Sequence, residues 1–128
     1  MPKNLIYHIT EYQTWENAKQ SGTYRGDTLD TEGFIHCSTS TQIVKTANKF
    51  YRHHHGLVLL CIDSNQVNPE IRYEEADNQL FPHIYGALNI DSVFQVIKFA
   101  AGEEGLFELP EQIRFLAEVG ESDEDKDK

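Results

Sequence analysis

Positive charge is scarce in this chain and nowhere clustered. Eleven Lys and Arg stand against twenty-one Asp and Glu, for a formal net charge of −10. A surface that binds duplex nucleic acid groups its Lys and Arg to neutralise phosphates, so bulk nucleic acid is a poor expectation as a partner. A small anionic ligand in one local pocket stays open. Long apolar runs are missing too. None nears the ~20 residues of a membrane helix, and the longest, residues 57–62, has the length of a buried strand. The opening Met1-Pro2-Lys3-Asn4 has no basic segment leading into an apolar one, so no signal peptide is expected. Cysteine is limited to Cys37 and Cys61, both inside apolar runs, where a free thiol behaves as a small hydrophobe. Reduced, buried thiols are expected, which fits the cytoplasm; a disulfide between two core strands is the alternative. The sequence also lacks a Gly-x-Gly-x-x-Gly loop, a Walker loop and a Gly-x-Ser-x-Gly elbow, each of which would announce a specific chemistry.

What remains is an ordinary globular composition. With 39% hydrophobic and 11% aromatic residues in 128, the chain suits one domain with a core that needs no staples. The domain is expected over residues 1–120. Residues 121–128 form an acidic segment expected to be solvated and disordered.

Residues 5–9 read as a strand. Thr10 and Gln13 pattern as a capping box for a helix carrying Tyr12, Trp15 and Ala18 on a core face, stopped by Gly22. Residues 23–31 read as loop and 33–38 as a second strand. Thr39 and Gln42 form another capping box, for a helix through Arg52 with Ile43, Ala47 and Phe50 at helical spacing. His53, His54 and His55 then lie at its C-terminus, where imidazoles suit the dipole, and Gly56 ends it. The apolar run 57–62 is expected to be a central strand. Strands are expected over 71–75, 84–89 and 93–99, with a loop at 76–82, a turn at 102–105, and a short helix from Pro110 carrying Ile113 and Leu116. Helices early and strands late argue for an α+β fold and against a doubly wound sheet.

Three histidines stand out against their surroundings. His8 and His36 interrupt apolar strands, and His83 follows Pro82 at a loop-to-strand junction. An imidazole in a half-buried strand needs a hydrogen-bond partner, so each alone is ordinarily a core residue bonded to a carbonyl or a nearby Ser. Three that can converge favour a site. Strand alternation gives His8 the side of Ile6 and Thr10, His36 the side of Phe34 and Ser38, and His83 the side of Tyr85. It also puts Cys37 opposite His36, which excludes a Cys–His dyad from these neighbours. Glu74 and Glu75 precede the loop to His83; such pairs are ordinarily solvated surface, and their position keeps them as candidates. Three imidazoles can hold zinc with an open fourth position, but no pair has the usual short spacing, and no metal is expected.

The segments Ile6-Tyr7-His8-Ile9, Glu32-Gly33-Phe34-Ile35-His36-Cys37-Ser38 and Phe81-Pro82-His83-Ile84-Tyr85-Gly86 resemble the bacterial domain of unknown function 952, with a likeness running from residue 4 to residue 99. That family looks like a compact relative of the ADP-ribosyltransferase fold, which implies two abutting, bent β-sheets with a central cleft. In the histidine-tyrosine-glutamate branch of that fold a first-strand histidine holds an NAD ribose hydroxyl, and His8 matches it. The helix tyrosine that stacks on nicotinamide is matched by the stretch Lys49-Phe50, with Tyr51 just beyond. The last position, a glutamate that stabilises the oxocarbenium ion, becomes His83. A protonated imidazole opposes that positive charge, so the chemistry implied is altered. The resemblance thus implies an enzyme binding NAD, as a substrate, or a related nucleotide, and acting at its ribose or phosphate. His8, His36 and His83 are its catalytic candidates, and Thr10, Ser38, Tyr85, Glu74 and Glu75 its substrate-binding ones. A non-catalytic nucleotide-binding or interaction module is the alternative, and a monomer or weak dimer is the expected assembly.

Overall fold

The computed structural model describes residues 4–102 and 104–113. Among these, eight strands and three α-helices follow one another as β1 (Leu5–Glu11), α1 (Tyr12–Ser21), β2 (Thr23–Tyr24), α2 (Leu29–Glu32), β3 (Ile35–His36), α3 (Ile43–Phe50), β4 (Leu57–Asp63), β5 (Glu70–Ala76), β6 (Gln79–Tyr85), β7 (Leu88–Asn89) and β8 (Val93–Phe99). The fold is mixed α+β, and every strand pair is antiparallel.

The apolar run at 57–62 is central, as its composition implies. β4 lies between β1 and β8, and Leu57 through Ile62 are all buried. Both faces of β4 are covered. Val58, Leu60 and Ile62 pack with Ile6, Trp15, Tyr24, Ile35 and Ile84 on one side. Leu57, Leu59 and Cys61 pack with Tyr7, Ile9, Ile43, Ala47 and Phe99 on the other. Because strand side chains alternate, a strand buried on both faces must be apolar at every position. The two thiols therefore end in different cores, Cys37 in the first and Cys61 in the second, and both are free.

A second three-stranded sheet has the order β3-β6-β5, and β2 pairs with β7 in a two-stranded ribbon. The two larger sheets are joined where Tyr7 and Ser38 exchange backbone hydrogen bonds of 2.8 Å.

Several local expectations are corrected. The segment 76–82 is no loop: β5 and β6 form a hairpin through Asp77 and Asn78, with φ of 51° and 64°. Asp and Asn tolerate this left-handed conformation better than other non-glycine residues, which permits so tight a turn. His83 consequently lies inside a strand. Residues 84–89 are not one strand, because the chain breaks at Gly86 (φ 155°), where a Cβ would stand 2.9 Å from the Pro69 Cβ. Residues 23–31 hold β2 and α2 as well as loop. The strand expected over 33–38 is regular only at Ile35–His36. Its ladder stops there because the Cys37 N–H donates to the Pro82 carbonyl at 3.0 Å while proline has no N–H to return.

Thr10 stays in β1 and caps nothing; Glu11 precedes α1 without a side-chain cap. The Thr39–Gln42 box is half formed, with the Gln42 side chain accepting from the Thr39 N–H at 3.0 Å. Helix α3 ends at Phe50, so His53–His55 lie beyond it in exposed connection. Trp15 is core, but Tyr12 is 54% exposed. Leu116 and the segment 121–128 fall outside the described residues.

Candidate active site

Strand register brings two of the histidines together. Ile35 pairs with Ile84 and His36 with His83 across β3 and β6. The two isoleucines are sealed in the core, so alternation turns the two imidazoles to the opposite face. The 37–82 pair carries the backbone bond, which makes 36–83 a non-hydrogen-bonded pair, the kind whose side chains approach most closely. The ring centroids are 5.1 Å apart. Phe34 supports both: its ring stacks on His83 at 4.2 Å and meets His36 edge-on at 4.7 Å.

Each ring of the pair is backed by a carboxylate. The Glu74 Oε1 accepts from the Nδ1 of His83 at 2.8 Å and from the Tyr85 hydroxyl at 2.5 Å. These two donors hold the Glu74 carboxyl below its usual range, the tyrosine contributing most. The Arg72 guanidinium lies 4.3 Å from the Tyr85 ring centroid. With Nδ1–H committed to Glu74, the neutral His83 ring presents Nε2 as its acceptor. No buried side-chain nitrogen or oxygen among the described residues lacks a partner, so Nε2 is not sealed away. His36 is half exposed, and its Nε2 stands 3.2 Å from Glu32 Oε1.

His8 is held differently. Its Nδ1–H donates to the His36 carbonyl at 2.5 Å, and its Nε2 accepts from the Tyr24 hydroxyl at 2.6 Å. Both nitrogens are engaged within the protein, so a ligand hydroxyl reaches Nε2 only by displacing Tyr24. Desolvation lowers the His8 pKa to about 4, which keeps the ring neutral. Its clearest structural effect is to fix the backbone of His36.

All three imidazoles line a single cleft of about 570 Å³. The lining comes from β1, from Glu32 and the stretch His36 to Ser38, from α3 and the connection after it, and from the β5–β6 hairpin. Ser38 lies in the lining, buried, with its Oγ 3.3 Å from the Thr46 hydroxyl. Thr10 is buried beside the Tyr24 hydroxyl and serves that contact rather than the cleft. Tyr85 and Glu74 stand behind His83. Glu75 is placed on the other face of its strand, opposite Leu80 and exposed, which removes it from the site. Among the described residues no group of three or more His, Cys, Asp or Glu is arranged to hold a metal ion.

Sequence reasoning did not select Glu32, Phe34, Lys45 or Thr46, which also build the site. Phe34 was legible as the residue sharing a face with His36. Lys45 and Lys49, four apart on α3, were legible as one helical face.

The match to known families covers these elements, from within β1 into β8 (residues 9–96). The chain belongs to DUF952, a family of proteins of unknown function. The crystal structure of protein CC0527 from Caulobacter crescentus is 29% identical to this chain, with a TM-score of 0.80 over 87% of this chain and 99% of that one. The crystal structure of a double mutant of the same protein gives 0.79, and its solution NMR structure gives 0.73. A comparison with curated proteins gives no match.

Proposed function

We propose that this DUF952 chain binds NAD or a related nucleotide in the cleft and catalyses transfer or hydrolysis at its ribose or phosphate, with His36 and His83 as the acid–base pair. One observation carries the reading. Two imidazoles face each other at 5.1 Å in the wall of an open cavity, and each is oriented by its own carboxylate. Imidazole titrates near working pH, so one ring of such a pair can take a proton while the other gives one. Displacement at a phosphate uses both transfers, whereas attack at the ribose carbon of NAD needs only the base, because nicotinamide leaves as a neutral molecule.

The likeness to ADP-ribosyltransferases supports a nucleotide as ligand, since His8 takes the place of that fold's first-strand histidine. It also argues for altered chemistry, because His83 replaces the glutamate. Glu74 does not bring that charge into the cleft lining; it stands behind His83, bonded through Oε1 to His83 and Tyr85. This replacement is also what favours a non-catalytic nucleotide-binding module as the second reading.

The test is incubation of the purified protein with NAD, reading nicotinamide release and nucleotide products, alongside melting temperature at millimolar NAD. Turnover that falls about 10²- to 10⁴-fold in His36→Ala and His83→Ala supports catalysis. Stabilisation without turnover supports the binding module. Neither turnover nor stabilisation removes NAD from consideration.

A further inference from the structure

We propose that Lys45 and Lys49 form the anion subsite of the cleft, taking the phosphate of a nucleotide or other phosphate ester, and that Asp77 occupies their charge until the ligand displaces it. This rests on the nucleotide reading above and adds where its charge is bound.

Lys45 and Lys49 are one helical turn apart on α3, and both line the cavity. Residues at this spacing share a helix face, so two ammonium groups meet the same volume in a chain whose formal net charge is −10. Asp77, at the hairpin tip, lines the same cavity. Its Oδ2 is 2.9 Å from the Lys49 Nζ, and the hydrogen bond from Lys49, followed by the charges of Lys49 and then Lys45, holds its carboxyl below the usual range. The two lysines therefore already act on one anion, beside a cavity far larger than that carboxylate fills. The hydroxyls of Ser38 and Thr46 lie deeper in the same lining, as further donors for phosphate oxygens.

The pair is built to exchange. Lys49 and Asp77 are 53% and 62% exposed, and an exposed ion pair contributes little to stability. A phosphate brings more charge and more acceptor oxygens than a carboxylate, and so competes well for the same ammonium groups. Phe50, 62% exposed and also in the lining, offers a ring on which a base can stack.

The experiment measures binding of ADP, inorganic pyrophosphate and adenosine to the full chain, by melting temperature and by calorimetry. ADP and pyrophosphate are expected to bind more tightly than adenosine. The double variant Lys45→Gln/Lys49→Gln should weaken ADP by about 10-fold or more. The double variant Lys45→Arg/Lys49→Arg, which keeps the charges, should retain most of the affinity. Asp77→Asn keeps a residue that tolerates the turn and should tighten ADP by about 3-fold or more. ADP binding equally well to the wild type and the glutamine variant overturns the subsite while leaving the nucleotide reading intact. Pyrophosphate binding that needs the lysines, with no advantage for ADP, supports the subsite and overturns the nucleotide. Binding of neither anion by wild type or Asp77→Asn overturns the proposal.

Discussion

At the residue scale the site depends on which nitrogen of each imidazole is spent. Glu74 commits the Nδ1–H of His83 and so leaves Nε2 as the acceptor of a neutral ring that lines the cleft. Glu74→Gln keeps an acceptor but loses the charge that stabilises a protonated His83. If the proposed chemistry holds, kcat should fall by about 10-fold or more with KM little changed, and the pH–rate profile should shift. A purely structural Glu74 would instead lower the melting temperature and leave that profile in place. The thiols give a test independent of any activity. Burial pushes the Cys61 thiol up to about 12 and Cys37 higher still. Neither should react with a thiol reagent in the native state at neutral pH, and both should react in denaturant.

At the element scale, β4 and the β5–β6 hairpin show why some structure was legible and some was not. An unbroken apolar run can satisfy only a strand covered on both faces, so β4 announced its own position. Leu59, fully buried between the sheet and α3, should cost about 2–5 kcal/mol when replaced by Ala, measured by urea denaturation. The hairpin was hidden. Its tip residues, Ala76 to Leu80, are exposed and carry no alternation signal, and Pro82 argued against an interior strand. Pro82 is tolerated in β6 because β3 ends beside it, so little ladder is lost there. The turn depends on Asn78 adopting φ of 64°. Asn78→Val should cost about 1–2 kcal/mol, whereas Asn78→Gly should cost little, by the same measurement.

At the scale of the whole molecule, pH couples stability to the site. His8 has its pKa lowered on folding to about 4, against about 6.5 in an unfolded chain. Between those values the unfolded state binds the proton that the folded state refuses, so stability rises with pH through this window. The His8 contribution is complete above pH 6.5 and is lost as pH falls toward 4, amounting to about 2 kcal/mol after allowing for partial exposure of the ring. Glu74, lowered by its hydrogen bonds, acts in the same direction and is lost as pH falls through its folded value. Denaturation midpoints measured from pH 7 to pH 4 should therefore decline. His8→Gln should flatten that decline at the cost of lower stability at neutral pH. An unchanged slope in His8→Gln would place the acid sensitivity elsewhere.

The sequence alone determined whatever depends on neighbours along the chain: the α+β class, the doubly buried β4, the reduced cysteines and the out-of-place histidines. Local polarity and periodicity encode these directly. Tertiary structure decided what those histidines face. That His36 and His83 are partners, that His8 is locked between a carbonyl and Tyr24, that Glu74 bonds His83 while Glu75 points away, and that Asp77 reaches Lys49 all follow from strand register and from a turn at positive φ. Register is a relation between segments tens of residues apart, so it is settled by which faces bury together and is not written at any single position.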